Sequence, residues 1–422
     1  MKKNKIGVIG LGYVGLPVAV SFSKKYQVIG YDLNAIRINQ LKKFNDKTLE
    51  ITSERLRISL NSNLSITNNS QDLRDCNIYI ITVPTPIKKD KTPNLEALLS
   101  ASELVGSILC RNDIVIYEST VFPGCTEDEC VPLLEKNSNL KYNQDFFCGY
   151  SPERINPGDK SHTIDKIVKV TSGSTKEVAN MVDELYSSVI DAGTFKATSI
   201  KVAEAAKVIE NAQRDINIAF INELAKIFSL LDIDTNDVLN AASTKWNFLN
   251  FRPGLVGGHC IGVDPYYLAD KSKKVGYNPE IILAGRKVND EMGLFIADKV
   301  ISLLKKQNKD LTKLKALVMG ITFKENCPDY RNTKVIDIIN SLKNSGLKVD
   351  VFDPWIEDSL FKKKNGIVVS NKIPDTKYDA IILAVGHDLF HKIDIVKYKS
   401  NKNSIIYDVK GFLDKEIITN RL

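Results

Sequence analysis

Short runs of β-branched and apolar residues, each followed by a helical pattern, set the rhythm of the first third of the chain. The runs are Ile6–Ile9, Gln27–Tyr31, Ile78–Val83, Ile114–Tyr117 and Ile167–Thr171. Strands this apolar, with amphipathic helices between them, belong to a parallel sheet covered on both faces. From about Ile200 to Leu231 the pattern becomes one long helix, on which Val202, Ala205, Ala206, Ile209, Ala212, Ile216, Ala219, Phe220 and Ile227 recur at helical spacing. A second helix is expected from Asn278-Pro279-Glu280, an N-cap residue with proline at the first helical position, to about Leu304. A long helix between two sheets needs a cover, so these helices are candidates for a dimer seam.

Beyond Leu311 the alternation returns, with strands expected at Ala316–Met319, Lys348–Phe352, Ala380–Val385 and Ser404–Asp408. The two ends echo each other. "VIGYD", ending at Asp32, is matched by "VDVFD", ending at Asp353; "CNIYIITVP" by "YDAIILAVG"; "DIVIYES" by "SIIYDVK". The expected fold class is therefore α/β: two Rossmann-like parallel-sheet domains joined by a central long helix. Its expected segments are residues 1–198, 199–305 and 306–422.

Composition narrows the partners. At 43% hydrophobic residues, the 422-residue chain has ample material for more than one packed core. The formal charge is +7, but the lysines are scattered. The densest runs, Lys88-Lys89-Asp90-Lys91 and Lys362-Lys363-Lys364, lack interleaved aromatics, so no nucleic acid is expected and an anionic small substrate is. Glycines at 7, 10, 12 and 15 make the apolar start a poor signal peptide, and no other run approaches a membrane span. Seven cysteines without a CxxC pair fit free thiols in a reducing cytoplasm, and no metal-ligand spacing is present.

"IGVIGLGYVG" carries the dinucleotide fingerprint Gly10-Leu11-Gly12-Tyr13-Val14-Gly15 directly after a strand. The glycines permit the tight turn, backbone approach to a pyrophosphate and close helix–strand packing. Asp32 ends the next strand at the spacing of the carboxylate that binds the adenosine ribose. Its charge would repel a 2′-phosphate and favours NAD, whereas nearby Arg37 keeps NADP open. The second unit has "GITFKEN" where the glycines should be, so it binds something other than a dinucleotide, or nothing.

In "LVGGHCIGVDPYY", Cys260 follows Gly257-Gly258. It reads either as a buried apolar thiol or as one held on a flexible loop where it can meet a ligand, with nearby N–H groups for an oxyanion. Asp264, followed by Pro265, reads as a helix N-cap, a role compatible with catalysis. His259 beside Cys260 suggests a Cys–His hydrolase only weakly, because sequence neighbours project differently. Lys207 and Asn211 share one helix face. Taken alone they suit a solvated face, with Lys207 paired to Glu204 or Glu210.

Together the motifs name a family. "GVIGLGYVGLP", "TVPTP", "ESTVFPG", "SPERINPG", "AEAAKVIENAQRDINIAFINE", "VGGHCIGVDP" and "TFKENCPDYRNT" occur in order, and over essentially its full length the chain resembles the UDP-glucose/GDP-mannose dehydrogenases. The resemblance implies oxidation of a nucleotide-sugar C6 alcohol to a carboxylate with two NAD⁺. It makes Cys260 the nucleophile of a thiohemiacetal and then a thioester. Lys207, Asn211 and Asp264 then hold water and the oxyanion and assist proton transfer, and Glu153 is the base for thioester hydrolysis. Which of Lys207, Asp264 and water takes the first proton stays open. Thr82, Val83 and Thr120 match cofactor-cleft positions, and Arg331 a cofactor contact. Lys324 matches a substrate-phosphate ligand; Arg154, Gly257 and Arg252 fall at substrate positions, Arg252 across a dimer.

The resemblance further implies a UDP-binding C-terminal domain, a homodimer through the central helix, an active site between domains and no membrane partner. "SPERINPGDK" and "NFRPGLVGGHCIGVDPYYL" look most like the bacterial branch acting on UDP-N-acetylhexosamines for capsule, O-antigen or related polysaccharides. UDP-GlcNAc is the first expectation and UDP-GalNAc the second, with UDP-glucose as the same-class alternative. A silent NAD- and nucleotide-sugar-binding regulator is the different-class alternative, and it would have no need of the thiol.

Overall fold

The computed structural model describes residues 4–155, 164–308, 310–356, 361–362 and 365–422. The chain forms two compact units, Met1–Glu210 with Tyr266–Tyr277, and Asn211–Pro265 with Asn278–Leu422. Residues 156–160 of the "SPERINPGDK" stretch lie outside the described residues.

The first unit is built on strands β1 (Lys5–Ile9), β2 (Gln27–Tyr31), β3 (Leu64–Thr67), β4 (Ile78–Ile81), β5 (Ile114–Tyr117) and β6 (Phe147–Tyr150). They pair in parallel in the order β3-β2-β1-β4-β5-β6. Helices α1 (Gly15–Ser23), α2 (Ala35–Lys42), α3 (Ser53–Leu60), α4 (Glu96–Gly106), α5 (Val131–Ser138) and α6 (Lys176–Ser187) connect them or follow the sheet. The apolar run at 167–171 yields β7 (Lys169–Thr171), which pairs with β8 (Thr194–Lys196) in a separate two-stranded sheet. β3 and β6 were not legible. Both are four residues long; β3 alternates buried and exposed positions instead of forming an apolar run, and "FCGY" in β6 lacks β-branched residues.

Helix α7 (Ile200–Leu231) matches its expected span. It is followed by α8 (Thr235–Ala242), α9 (Asp264–Lys274) and α10 (Glu280–Lys305). Pro279 stands at the N-cap of α10 rather than inside its first turn, because its ψ of 81° is not helical. α9 begins at Asp264 itself, one residue earlier than a cap at that position requires.

The second unit's sheet comprises β9 (Lys315–Met319), β10 (Lys348–Phe352), β11 (Ala380–Leu383), β12 (Ile405–Asp408) and β13 (Asn420–Arg421), with α11 (Val335–Asn344) packed beside it. The order is β10-β9-β11-β12-β13, again parallel. Met292, Ile296, Val300 and Leu304 recur every fourth residue on α10 and are buried with Ala316, Val318 and Ile382 of the sheet. This helix is amphipathic in the ordinary sense.

α7 is not. Glu204, Lys207, Asn211, Asp215 and Asn222 fall on one side of the helix at 3.6 residues per turn, and all are buried. Val202, Ile209, Phe220 and Ile227 line the opposite side, each between 44% and 55% exposed. The helical periodicity lies where it was expected, and these apolar positions are left exposed.

Within the second unit, Arg286 Nη1 donates to Asp215 Oδ1 at 2.5 Å, and Asn289 Nδ2 donates to the same oxygen at 2.7 Å. Burial nevertheless holds the Asp215 carboxyl above its usual range, despite the Arg286 charge and these hydrogen bonds. Arg286→Met strands this carboxylate and should cost about 3–5 kcal/mol in urea unfolding. The loss should be larger at pH 8 than at pH 5, because protonation neutralises a carboxyl whose folded pKa is raised.

Candidate active site

The loops after β1, β4, β5 and β6 leave the C-terminal edges of parallel strands, where open α/β sheets bind ligands. In the first unit the strand order reverses between β1 and β4, and the glycine fingerprint follows β1. Gly10 has φ +93° and donates its N–H to Tyr31 O at 2.8 Å. A Cβ on Gly15 would lie 1.8 Å from Gly10 O and 2.3 Å from Thr82 Oγ1, so the α1 start can approach the sheet only without a side chain. A Cβ on Gly12 would meet nothing within 4 Å; it faces the open space that a pyrophosphate fills. The residues present therefore fit a dinucleotide.

Asp32 accepts Leu11 N–H and Asn34 N–H, both at 2.8 Å, which fixes its carboxylate at the cleft. Leu11, Gly12, Tyr13, Asp32, Ile36 and Arg37 are among the residues lining this cleft of about 380 Å³. Val14 immediately precedes α1. Arg37 Nε donates to Leu11 O at 2.9 Å, and Nη2 lies 2.8 Å from Asp46 Oδ1. The guanidinium thus braces the glycine turn, and it is not held in reserve for a 2′-phosphate.

Thr82 Oγ1 donates to Gly10 O at 2.7 Å. Ser119 Oγ donates to Val83 O, and Thr85 Oγ1 to Thr120 O, each at 2.7 Å. The expected cofactor-cleft positions Thr82, Val83 and Thr120 are therefore drawn together. Farther along this edge, Glu153 Oε1 accepts the N–H groups of Arg154 and Ile155, both at 2.6 Å. Arg154 donates to Val168 O at 2.9 Å and pairs with Glu210 at 2.8 Å. Glu204 accepts Gly124 N–H at 2.5 Å and Thr126 N–H at 2.9 Å. Among the described residues neither glutamate pairs with Lys207, which is itself buried. The solvated-face reading of Lys207 and Asn211 therefore fails.

In the second unit, the stretch bearing Cys260 is held by its backbone. Asn222 pairs with Gly254 in both directions, donating to its O at 3.0 Å and accepting its N–H at 2.8 Å. Gly258 N–H donates to Arg331 O at 3.0 Å, and Asn332 Nδ2 donates to Gly258 O at 2.9 Å. Gly258 has φ +79°, and a Cβ there would fall 2.9 Å from the Phe323 ring; one on Gly257 would fall 2.9 Å from Asn332 O. Both glycines are thus required by close approach. Cys260 is partly exposed, and its O accepts Asp264 N–H at 2.8 Å. One carboxylate oxygen of Asp264 accepts Asn211 Nδ2 at 2.5 Å. Thiol, carboxylate and amide are assembled in one unit.

The second sheet reverses order between β9 and β11. Its turn reproduces the first: Gly320 has φ +83°, its N–H donates to Phe352 O at 2.8 Å, and Ile321 N–H donates to Asp353 Oδ2 at 2.7 Å. The outcome differs because His387 Nε2 lies 3.2 Å from Asp353 Oδ2 and both side chains are fully buried. A ribose cannot reach this aspartate. Thr322, Phe323, Glu325, Lys334 and Lys410 instead line a separate small cavity at the strand ends. Lys324 extends beside it with Nζ 5.7 Å from the Phe323 ring centre. Arg331, expected at the cofactor, makes a two-pronged contact with Asp329, Nη2 reaching Oδ2 at 2.5 Å. Arg252 donates to Asn240 Oδ1 at 2.8 Å. No cluster of metal-ligating side chains occurs among the described residues.

Two parallel-sheet α/β units, one with an open dinucleotide turn and the other with its turn closed, define an NAD-dependent nucleotide-sugar dehydrogenase, an oxidoreductase. The chain belongs to the UDP-glucose/GDP-mannose dehydrogenase family: the family's NAD binding domain matches residues 4–190, its central domain 201–291 and its UDP binding domain 317–415. It is 54% identical over 415 residues to a UDP-N-acetyl-D-glucosamine 6-dehydrogenase of Salmonella typhi, covering 98% of this chain and 97% of that one. It is also 54% identical over 418 residues to Protein CapL of Staphylococcus aureus, covering 99% and 97%. A UDP-D-ManNAc dehydrogenase structure from Pyrococcus horikoshii superposes with a TM-score of 0.89 at 29% identity, covering 99% and 98% of the two chains.

Gly258→Ala should displace the Cys260 loop while leaving the dinucleotide turn untouched. Turnover should fall by about 10²-fold, the effect of a small misplacement of reacting groups, with NAD⁺ affinity by calorimetry unchanged.

Proposed function

We propose that the enzyme oxidises the C6 alcohol of a UDP-N-acetylhexosamine to the uronic acid, with UDP-GlcNAc preferred and UDP-GalNAc second. The observation that carries this reading is the partly exposed Cys260 on a backbone-clamped loop, hydrogen-bonded to Asp264, whose carboxylate takes Asn211. A regulator would have no use for such a thiol. The relatives named for UDP-N-acetyl-D-glucosamine support the sugar.

NAD⁺, held by the Gly10–Gly15 turn and Asp32, with Thr82, Val83, Thr120 and Arg331 as further contacts, supplies a hydride acceptor for each of two oxidations. Cys260 adds to the C6 aldehyde as a thiohemiacetal, which becomes a thioester on the second oxidation. Lys207, Asn211 and Asp264 orient water and the oxyanion, and Lys207, Asp264 or water takes the first proton. Glu153 takes a proton from the water that attacks the thioester, the C–S bond breaks, and Cys260 returns to the thiol. Lys324, Arg252, Arg154 and Gly257 serve the substrate.

In this reading residues 1–198, 199–305 and 306–422 bind cofactor, assemble the dimer and bind UDP. The exposed Val202–Ile227 stripe of α7 supports a homodimer, since an apolar face this regular wants a cover. The Protein CapL relative supports a role in capsule or related polysaccharide synthesis. No described helix is long and apolar enough to cross a membrane.

Parallel assays with UDP-GlcNAc, UDP-GalNAc and UDP-glucose should yield two NADH per uronic acid, with kcat/KM highest for UDP-GlcNAc. Tight binding of sugar and NAD⁺ without NADH would overturn the enzyme reading. Cys260→Ser should abolish acid formation; wild-type turnover in that variant would remove the nucleophile assignment.

A further inference from the structure

Glu153 belongs to a buried charge cluster in which Glu118, from the motif "ESTVFPG", meets Lys169 and Tyr186, which lie in none of the motifs. Its Oε2 accepts Lys169 Nζ at 3.1 Å, and Lys169 donates to Glu118 Oε2 at 2.7 Å. Glu118 Oε1 accepts the Tyr186 hydroxyl, and the same ammonium lies 5.5 Å from the centre of the Tyr186 ring. The Lys169 and Glu118 side chains are 3% and 0% exposed, and that of Glu153 is 8%. The groups come from the ends of β5 and β6, from β7 and from α6. The nearest other charge in sequence, Arg154, is engaged with Val168 O and Glu210.

One ammonium faces two carboxylates, one more than a structural ion pair needs. A buried cluster of this kind is a poor source of stability compared with apolar packing. Burial pushes the Glu118 carboxyl up to about 7; Lys169 acts against this and Glu153 adds to it. With both carboxylates ionised the cluster carries a net charge of −1, and uptake of one proton makes it neutral. A carboxylate has about four acceptor positions. Among the described residues two N–H groups and Lys169 use three of those on Glu153, leaving one on Oε2, the oxygen that Lys169 orients.

We propose that Glu118 and Lys169 are positioning residues for hydrolysis, which hold Glu153 Oε2 as the proton acceptor for the water attacking the Cys260 thioester. This rests on the assignment of Glu153 as the hydrolytic base. In the step, the water oxygen bonds to the thioester carbon and its proton passes to Glu153. The C–S bond then breaks, and the Cys260 sulfur leaves as thiolate and is reprotonated. No oxidant is consumed.

The test uses the full-length enzyme with NAD⁺ and whichever of the three UDP-sugars turns over fastest, reading the kcat–pH profile, KM and covalent adduct by intact-mass spectrometry after acid quench. Glu118→Gln keeps the shape and removes a negative charge, so the acid limb of kcat should move down by about one pH unit. The kcat plateau should fall about tenfold, with adduct accumulating and KM unchanged. Lys169→Met should move the limb the opposite way, and Lys169→Arg should restore it. A packing defect would not give shifts of opposite sign. If Lys169→Met fails to fold, Glu118→Gln and Lys169→Arg still decide. Should Glu153→Gln accumulate adduct while Glu118→Gln keeps the wild-type limb and adduct level, the inference falls and the base assignment stands. Should Glu153→Gln accumulate none, the base assignment falls and takes the inference with it.

Discussion

The polar face of α7 has to be satisfied, and much of the chemistry is arranged around that requirement. Burying polar groups without partners costs more than most single contacts supply. Glu204 meets it with the Gly124 and Thr126 N–H groups, Asn211 with Asp264, Asp215 with Arg286 and Asn289, and Asn222 with Gly254 and Asn289. Each bond fastens a loop or a neighbouring helix to the same surface. Lys207, on that face, forms no ion pair among the described residues. The one cation in the row that is not spent on the fold is the one the proposed reaction uses.

The two sheets show how one backbone device serves different ends. Gly10 and Gly320 make the same left-handed turn and donate to the residue before an aspartate. Asp32 spends its oxygens on Leu11 and Asn34 N–H groups at the rim of an open cleft, whereas Asp353 has His387 set against it. An imidazole therefore distinguishes a sealed structural carboxylate from one at an open cleft. Phe323 occupies the space beside Gly258 that the glycine leaves, so the second turn also supports the Cys260 loop.

The strands and the α7 span were legible because long apolar runs and helical periodicity are local signals. The short strands were not: β13 has two residues, and β6 contains glycine and cysteine where β-branched residues would mark it. Periodicity reports that α7 has an apolar face, not what covers it, and the buried polar row opposite was not legible as such. Cys260, Asp264, Glu153 and the Lys207–Asn211 pair were nominated through motifs, and the proposed reaction draws on them. The Glu118–Lys169–Tyr186 cluster was hidden, because its members lie 51 and 68 residues apart and meet only through the sheet. His387 was invisible for the same reason: nothing near it in sequence indicates that it closes over Asp353.

The division between the compact units falls after Glu210, inside a continuous helix. Lys207 belongs to one unit and Asn211 to the other, yet they are a single turn apart on one face. At 1.5 Å per residue their Cα atoms are about 6 Å apart along the axis. A loop at that point would leave the spacing of the two residues unfixed. A hydrogen-bonded helix cannot stretch there without breaking its i to i−4 ladder. The helix therefore fixes the spacing of the two side chains along its own axis. The polar face stays buried from Glu204 to Asn222, so the groups on it share one rigid helical frame.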